Sequence, residues 1–186
     1  MTAASGENKQ GEGTLGLKRH TVRVVAPRAE WQELYKRHRR ALLERVGHLV
    51  VGVQHVGSTA VPGLDAKPIL DIAVAVASTE VISQLARPLD ELGYIYRGDA
   101  GANGGRLFVK ESAPDVRTHH LHVVAADDPQ WREWLLFRDK LRTDGALRAR
   151  YAALKKDLQE RFAEDRRGYT EAKTEFIRRL VHPRSQ

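Results

Sequence analysis

Apolar positions along the chain change period several times, and each change marks a structural element. Thr21 to Ala26 reads as a short strand. Beyond Pro27, the apolar positions Trp31, Leu34, Tyr35, Leu42 and Val46 fall at helical spacing and predict a helix over about 28–48. The run Leu49 to Gln54 is short, β-branched and closed by a Gly-Ser turn, as a buried strand should be. Ile69 to Val76 reads as a central strand. Val81, Ile82, Leu85, Leu89 and Leu92 predict a helix that Ser78 can cap, and Tyr94 to Tyr96 opens another extended piece. Asp99 to Gly105 is rich in glycine and reads as a flexible connection. Arg106 to Lys110 and His119 to Ala125 predict neighbouring strands, a hairpin across a polar loop at 111–117. From Asp128 and Pro129 the pattern is wholly helical. One helix carries Trp131, Trp134, Leu135, Phe137 and Leu141, a second carries Leu147, Tyr151, Leu154, Leu158 and Phe162, and a third covers about 169–180.

Strands first and helices afterwards predict an α+β fold, a small mixed β-sheet packed with helices and followed by a C-terminal helical half that closes over it. The expected organisation is a disordered tail over 1–18 and one domain over 19–186, divided into a sheet-bearing part (19–127) and a helical part (128–186). The opening residues are small, polar and glycine-rich, without the apolar core of a signal peptide. No apolar stretch approaches the roughly 20 residues that span a bilayer, so no membrane partner is expected. The chain has no cysteine, which removes disulfides from the argument and suits a reducing cytoplasm, the expected location.

The chemistry gathers between His55 and Asp71. Gly57 lets the backbone come close to a ligand, and the hydroxyls of Ser58 and Thr59 with the neighbouring amides can donate hydrogen bonds to anionic oxygens. Lys67 can add a fixed positive charge. Asp71 is the one acid in an apolar strand, where a carboxylate must be paired, hydrogen-bonded or bound to a cation, or else caps a turn at the strand's end. No Gly-Lys-Ser/Thr follows the glycines and no Gly-x-Gly-x-x-Gly is present, which excludes a P-loop and a dinucleotide fingerprint.

The string Gly57-Ser-Thr-Ala-Val-Pro-Gly-Leu64, with Ala66-Lys-Pro68 and Asp71-Ile72 after it, resembles the GrpB family, as do Arg117 to Val123 and Phe137 to Arg142. The resemblance runs from about Val22 to Leu180. It implies the nucleotidyltransferase fold of the DNA polymerase beta type. There a Gly-Ser turn holds nucleotide phosphates, an Asp-x-Asp/Glu pair holds magnesium and a later strand adds a third carboxylate. Gly57, Ser58 and Asp71 match that pattern. Ala73 stands in place of the second acid, and the later strand offers His120 and His122 instead of a carboxylate. Gln54 stands where relatives tend to have Glu. The resemblance further singles out Arg106, Arg117, Arg138, Tyr151, Lys155, Tyr169 and Lys173 as positions of the family pattern.

In an extended segment His120 and His122 share one face and His119 points to the other. The pair can act as metal ligands or acid–base groups, or can simply be hydrogen-bonded at a sheet face. Imidazole suits manganese or zinc better than magnesium. Charge is concentrated in the helical half, where residues 129–186 hold 15 Lys/Arg against 9 Asp/Glu. Arg138, Arg142, Arg148, Lys155 and Lys173 are therefore candidates to face a polyphosphate, or else solvated helix charges.

The expected function is a nucleotidyltransferase-like enzyme that takes an NTP with Mg2+ or Mn2+ and passes a nucleotidyl group to a small acceptor. Gly57, Ser58, Thr59, Lys67, Arg106, Arg117, Arg138, Tyr151, Lys155 and Lys173 would bind the nucleotide, and Asp71, His120 and His122 would hold the metal or carry the chemistry. The alternatives are a noncatalytic nucleotide or phosphate sensor, and a remodelled pocket serving another activation or ligation reaction. Nucleic acid is a less favoured partner: the net charge of +7 attracts phosphates, but aromatic residues make up only 6% and no recognition motif accompanies them.

Overall fold

Leu70–Val76 forms the strand around which everything else is arranged, because its alternate residues serve two different layers. The computed structural model describes residues 14–99 and 105–182. Six strands, β1 (Leu17–Lys18), β2 (Val50–Val56), β3 (Leu70–Val76), β4 (Ile95–Asp99), β5 (Arg106–Ala113) and β6 (Val116–Ala125), form one mixed sheet. Its order is β2-β3-β6-β5-β4, with β1 pairing the start of β6. β3 and β6 run parallel in a register that sets Asp71 beside His120 and Ala73 beside His122. All other pairings are antiparallel.

One face of the sheet presents Val53, Ile72, Val74, Phe108, Leu121 and Val123 to helices α1 (Glu30–Val46) and α2 (Ile82–Glu91), which contribute Leu42, Val46, Leu85 and Leu89 to the main core. The other face meets α3 (Pro129–Thr143), α4 (Gly145–Arg161) and α5 (Arg166–Val181). A second core of Val61, Leu64, Phe137, Leu141, Tyr151 and Val181 fixes these helices to the turn after β2. Asp128, Asp144 and Asp165 each cap one of them, accepting from the amides of Gln130, Leu147 and Gly168.

The α+β class and its helical half are as the pattern predicts, and three local readings differ. Residues 1–13 of the expected tail lie outside the described residues, but Leu15 and Leu17 are buried and Leu17–Lys18 pairs with β6, so the tail does not extend to Lys18. Thr21 to Ala26 is not a ladder strand. It makes a single bridge from Val25 to Ala66 and buries Val22 against Leu158 and Tyr169 of the helical half. The expected polar loop at 111–117 is mostly strand, turning only at Pro114 and Asp115, where Asp115 adopts φ 60°. Its alternation is hidden by bulges at Lys110 to Ala113. The connection expected at 99–105 lies largely outside the described residues.

Candidate functional site

The turn between β2 and β3 opens with Gly57 at φ 69° and ψ −171°, a region that residues with a β-carbon avoid. It delivers Ser58 to a short 3-10 turn, Ser58–Ala60, and places Asp71 directly alongside. The two hydroxyls that follow have different fates. Thr59 accepts from Nε2 of His55 at 3.0 Å and donates to the Ile69 carbonyl at 3.3 Å, so its hydroxyl holds the loop together. Ser58 Oγ instead accepts from Nζ of Lys155 at 3.2 Å.

The helical half brings its cations here. Ser58, Thr59, Lys67, Ile69, Asp71, Lys155, Tyr169 and Lys173 line a cleft of about 50 Å³. A single water needs roughly 10–15 Å³ on this measure, so the cleft takes a few waters or one phosphate-sized group, and a nucleoside would have to lie outside it. Tyr169 organises the lysines, with Nζ of Lys67 at 4.5 Å and Nζ of Lys173 at 4.7 Å from its ring centroid. Lys155 is buried, lies 4.8 Å from the Tyr151 ring and also donates to the Asp65 carbonyl.

Burial and mutual repulsion make these amines easy to deprotonate. Burial, with Lys173 nearby, lowers Lys155 to about 7 against a weaker pull from Asp65. Burial lowers Lys173 to about 8, with Asp71 opposing and Arg166 assisting. Lys67 is held well below the ordinary lysine range by burial and by Lys173 and Arg166.

Among the described residues, Asp71 is the only carboxylate lining this cleft, and its side chain is 33% exposed. Burial would raise its pKa, but the hydrogen bond from His120 and the nearby imidazole of His122 outweigh that and keep it ionised. Nδ1 of His120 stands 3.0 Å from Oδ1, and Nε2 of His122 stands 3.8 Å from the same oxygen. Nε2 of His120 is met by a guanidinium nitrogen of Arg166 at 3.3 Å, so in the hydrogen-bonded state Nδ1 carries the proton and Nε2 accepts. Burial lowers His120 to about 4 despite the opposing pull of Asp71, which keeps the imidazole neutral at physiological pH.

The ligand atoms of Asp71, His120 and His122 lie within 4.8 Å of one another. First-row metals held at about 2.0–2.2 Å separate their ligands by roughly 3–3.5 Å, so one ion fits between them after small adjustments. The two imidazoles favour manganese or zinc over magnesium. Ala73 has its β-carbon where the second acid of a two-metal site would stand, and it is fully buried.

The sequence candidates therefore separate. Gly57, Ser58, Lys67, Asp71, His120, His122, Tyr151, Lys155 and Lys173 come together. Arg138 does not face the cleft: buried in α3, it donates to Gln54 Oε1 at 2.9 Å, to the His55 carbonyl at 3.0 Å and to both oxygens of Asp139. Arg142 donates twice to the Ala60 carbonyl, and Arg148 to the carbonyls of Leu141 and Arg142 at the helix end. Arg106 is exposed and paired with Asp99 at 2.9 Å, and Arg117 lies 3.9 Å from Glu111. Arg166 was not singled out by sequence. Its signal is the spacing Arg166, Tyr169, Lys173, which places all three on one face of α5.

Comparison with known proteins fits this geometry. The family model described as "GrpB protein" matches residues 21–182. The chain belongs to the GrpB family. It is 32% identical to the Glutamate-rich protein GrpB of Alkalihalophilus pseudofirmus, over 90% of this chain and 98% of that protein. It is 41% identical to a UPF0157 protein of Streptomyces coelicolor, over 80% of this chain and 76% of the relative. A crystal structure of conserved protein GrpB from Enterococcus faecalis superposes with a TM-score of 0.76 at 33% identity, covering 86% of this chain and 94% of that one. A dephospho-CoA kinase of Mycolicibacterium paratuberculosis is 30% identical over 89% of this chain, which spans only 46% of that enzyme. Among the described residues of this GrpB protein, no helix is long and apolar enough to cross a membrane.

Proposed function

We propose that the cleft binds the phosphate end of a nucleoside triphosphate, with one divalent cation on Asp71, and that the protein transfers a nucleotidyl group to a small acceptor. The observation that carries this reading is the convergence of Lys67, Lys155 and Lys173 with the Ser58 hydroxyl on a phosphate-sized cleft beside a single ionised Asp71. Such a site is cationic while Lys67 and Lys173 are protonated, and an incoming polyanion supplies charge that favours their protonated forms. The grouping implied by the Gly57-Ser58 and Asp71 motif points to nucleotides among the phosphorylated molecules that would fit.

Asp71, His120 and His122 would hold the cation, which would supply charge neutralisation at the transferring phosphorus. With Ala73 in place of a second acid, the protein offers ligands for one ion. The lysines take over the neutralisation that a second ion gives elsewhere. In the hydrogen-bonded state Arg166 orients His120, and His120 in turn holds Asp71; to become a ligand His120 would exchange one of these hydrogen bonds for the ion.

A noncatalytic phosphate sensor or accessory module is the second reading. The observation favouring it is that the likeness to the dephospho-CoA kinase covers nearly all of this chain but less than half of the enzyme, the pattern of a separable module.

Calorimetric titration of ATP, GTP, CTP and UTP with Mn2+, Mg2+ or EDTA, repeated on Asp71→Asn, tests the proposal. Cation-dependent binding lost in the variant supports it, and no binding of any nucleotide under any of these conditions rejects it.

A further inference from the structure

Ser58 carries more than a phosphate-binding site needs. Of the two adjacent hydroxyls, Thr59 is consumed by His55 and Ile69, whereas Ser58 is half-buried on the cleft wall with its oxygen 3.2 Å from the Lys155 amine. Lys155 is 2% exposed, stacked on Tyr151 and anchored by the Asp65 carbonyl, so its amine is held on Ser58. Its pKa, lowered to about 7 by burial and Lys173, gives a substantial share of free amine at neutral pH. A hydroxyl within hydrogen-bond reach of a fixed, unprotonated amine is the arrangement of an activated nucleophile and its base.

We propose that Ser58 is a nucleophile, deprotonated by Lys155, that takes a phosphorus group covalently from the phosphoanhydride bound in the cleft. The inference rests on the reading of the cleft as a nucleotide site. In the step, an Oγ lone pair forms the Oγ–P bond while the bridging P–O bond breaks, its electron pair leaving with the departing phosphate. The hydroxyl proton passes to Nζ of Lys155, which becomes an ammonium beside the new ester. Lys67 and Lys173, both on Tyr169, oppose the charge of the leaving group. An acceptor hydroxyl or water then attacks the phosphorus and gives up its proton to solvent, while Oγ leaves and recovers its proton from Lys155, which returns to the free amine. The transfer is thereby divided into two displacements at phosphorus.

The test is incubation of the full chain with ATP labelled at either the α or the γ phosphorus, with Mn2+, quenched in acid over times from milliseconds to hours. Intact mass and peptide mapping locate the label, and calorimetry on the same preparation measures ATP binding. The expected result is label on Ser58. An α-label marks a nucleotidyl ester, and a γ-label marks a phosphoryl ester. Ser58→Ala abolishes the label. Lys155→Arg, which keeps the charge but not the base, slows labelling by about 100-fold or more while the protein stays folded by its melting curve.

ATP binding without label at any quench time overturns this inference and leaves the cleft's nucleotide reading standing. Label on another residue, or label that survives Ser58→Ala, also overturns it. Absence of binding of ATP and, in parallel titrations, of GTP, CTP and UTP overturns both readings together, and binding of another of these nucleotides moves the labelling test to that nucleotide.

Discussion

Gly57 leaves no room for a side chain beside Asp71: a β-carbon on residue 57 would lie 2.5 Å from Oδ2 and 3.0 Å from the aspartate's own β-carbon. The backbone there is also in a conformation nearly confined to glycine, at φ 69°. Gly57→Ala is therefore expected to destabilise the fold by about 1–3 kcal/mol through backbone strain alone. Asp71 should also be displaced, weakening cation binding more than stability. Urea unfolding with Mn2+ titration separates the two effects, and a variant of unchanged stability would contradict the packing.

Asp71→Asn removes the one negative charge among Lys67, Lys173 and Arg166 while keeping the side chain's shape. Cation binding should be lost. Binding of inorganic phosphate in EDTA should tighten, because the repulsion from Asp71 has gone. Parallel titrations of Mn2+ and phosphate check this, and weaker phosphate binding in the variant would refute the assignment of the cleft as an anion site.

Sulfate does not titrate near neutrality, so its affinity reports the charge of the lysines. With Lys155 lowered to about 7 and Lys173 to about 8, both carry protons below that range and both are neutral well above it. Affinity should therefore fall as pH rises through this window, by up to roughly tenfold per pH unit for each amine that must be reprotonated. Titration heats in buffers of different ionisation enthalpy should show proton uptake on binding. A flat profile would place sulfate elsewhere.

Arg138 and Lys173 should part company on mutation. Truncating Arg138 to Ala leaves the half-buried Gln54 oxygen and the His55 carbonyl without this donor and should cost about 2–4 kcal/mol, with little effect on anion affinity. Lys173→Met removes a half-buried amine on the cleft wall and should leave the protein as stable or more so, while phosphate binding is lost. Chemical denaturation and phosphate titration on both variants settle the contrast.

Four aromatic bases also set the acid limit. Burial lowers His38 to about 4, His55 to about 3, His119 to about 2 and His120 to about 4, all below the ordinary 6.5. Folded values below unfolded ones mean that the unfolded chain binds more protons as pH falls from 6.5. The histidine contribution to stability should be flat above that pH and should decline below it by about 1.4 kcal/mol per pH unit for each histidine. Urea midpoints across this window measure the slope, and pH-independent midpoints would exclude neutral burial.

Much of this was legible in the sequence, and the boundary is physical. Helix periodicity located α1 and α3, and the alternation of His119, His120 and His122 assigned their faces, because side-chain direction in a strand follows from position alone. The Gly-Ser turn and Asp71 could be read because their residue types are costly anywhere but at a site. Arg138, Arg142 and Arg148 could not be separated from Lys155 and Lys173, since a cation's partner depends on how three helices pack. Thr59 looked like Ser58 until the buried His55 claimed its hydroxyl. Leu17–Lys18 was too short to carry a period, and its pairing with β6 is set by contacts a hundred residues away.

Residues 16–25 thread past both halves of the molecule: Gly16 bonds the Pro68 carbonyl, Val22 the Ala163 carbonyl and Val24 the Gln159 side chain, while Val25 bridges to Ala66. This segment leaves the ribosome before any of its partners exist. The loop bearing Lys67 is its first anchor, and its last is the link between α4 and α5. At about 5–20 residues per second, several seconds of translation separate its appearance from its final seat. A nascent chain can thus build the sheet around Asp71 and still lack the proposed anion site, and phosphate capture on stalled chains of graded length would mark the point at which α5 completes it.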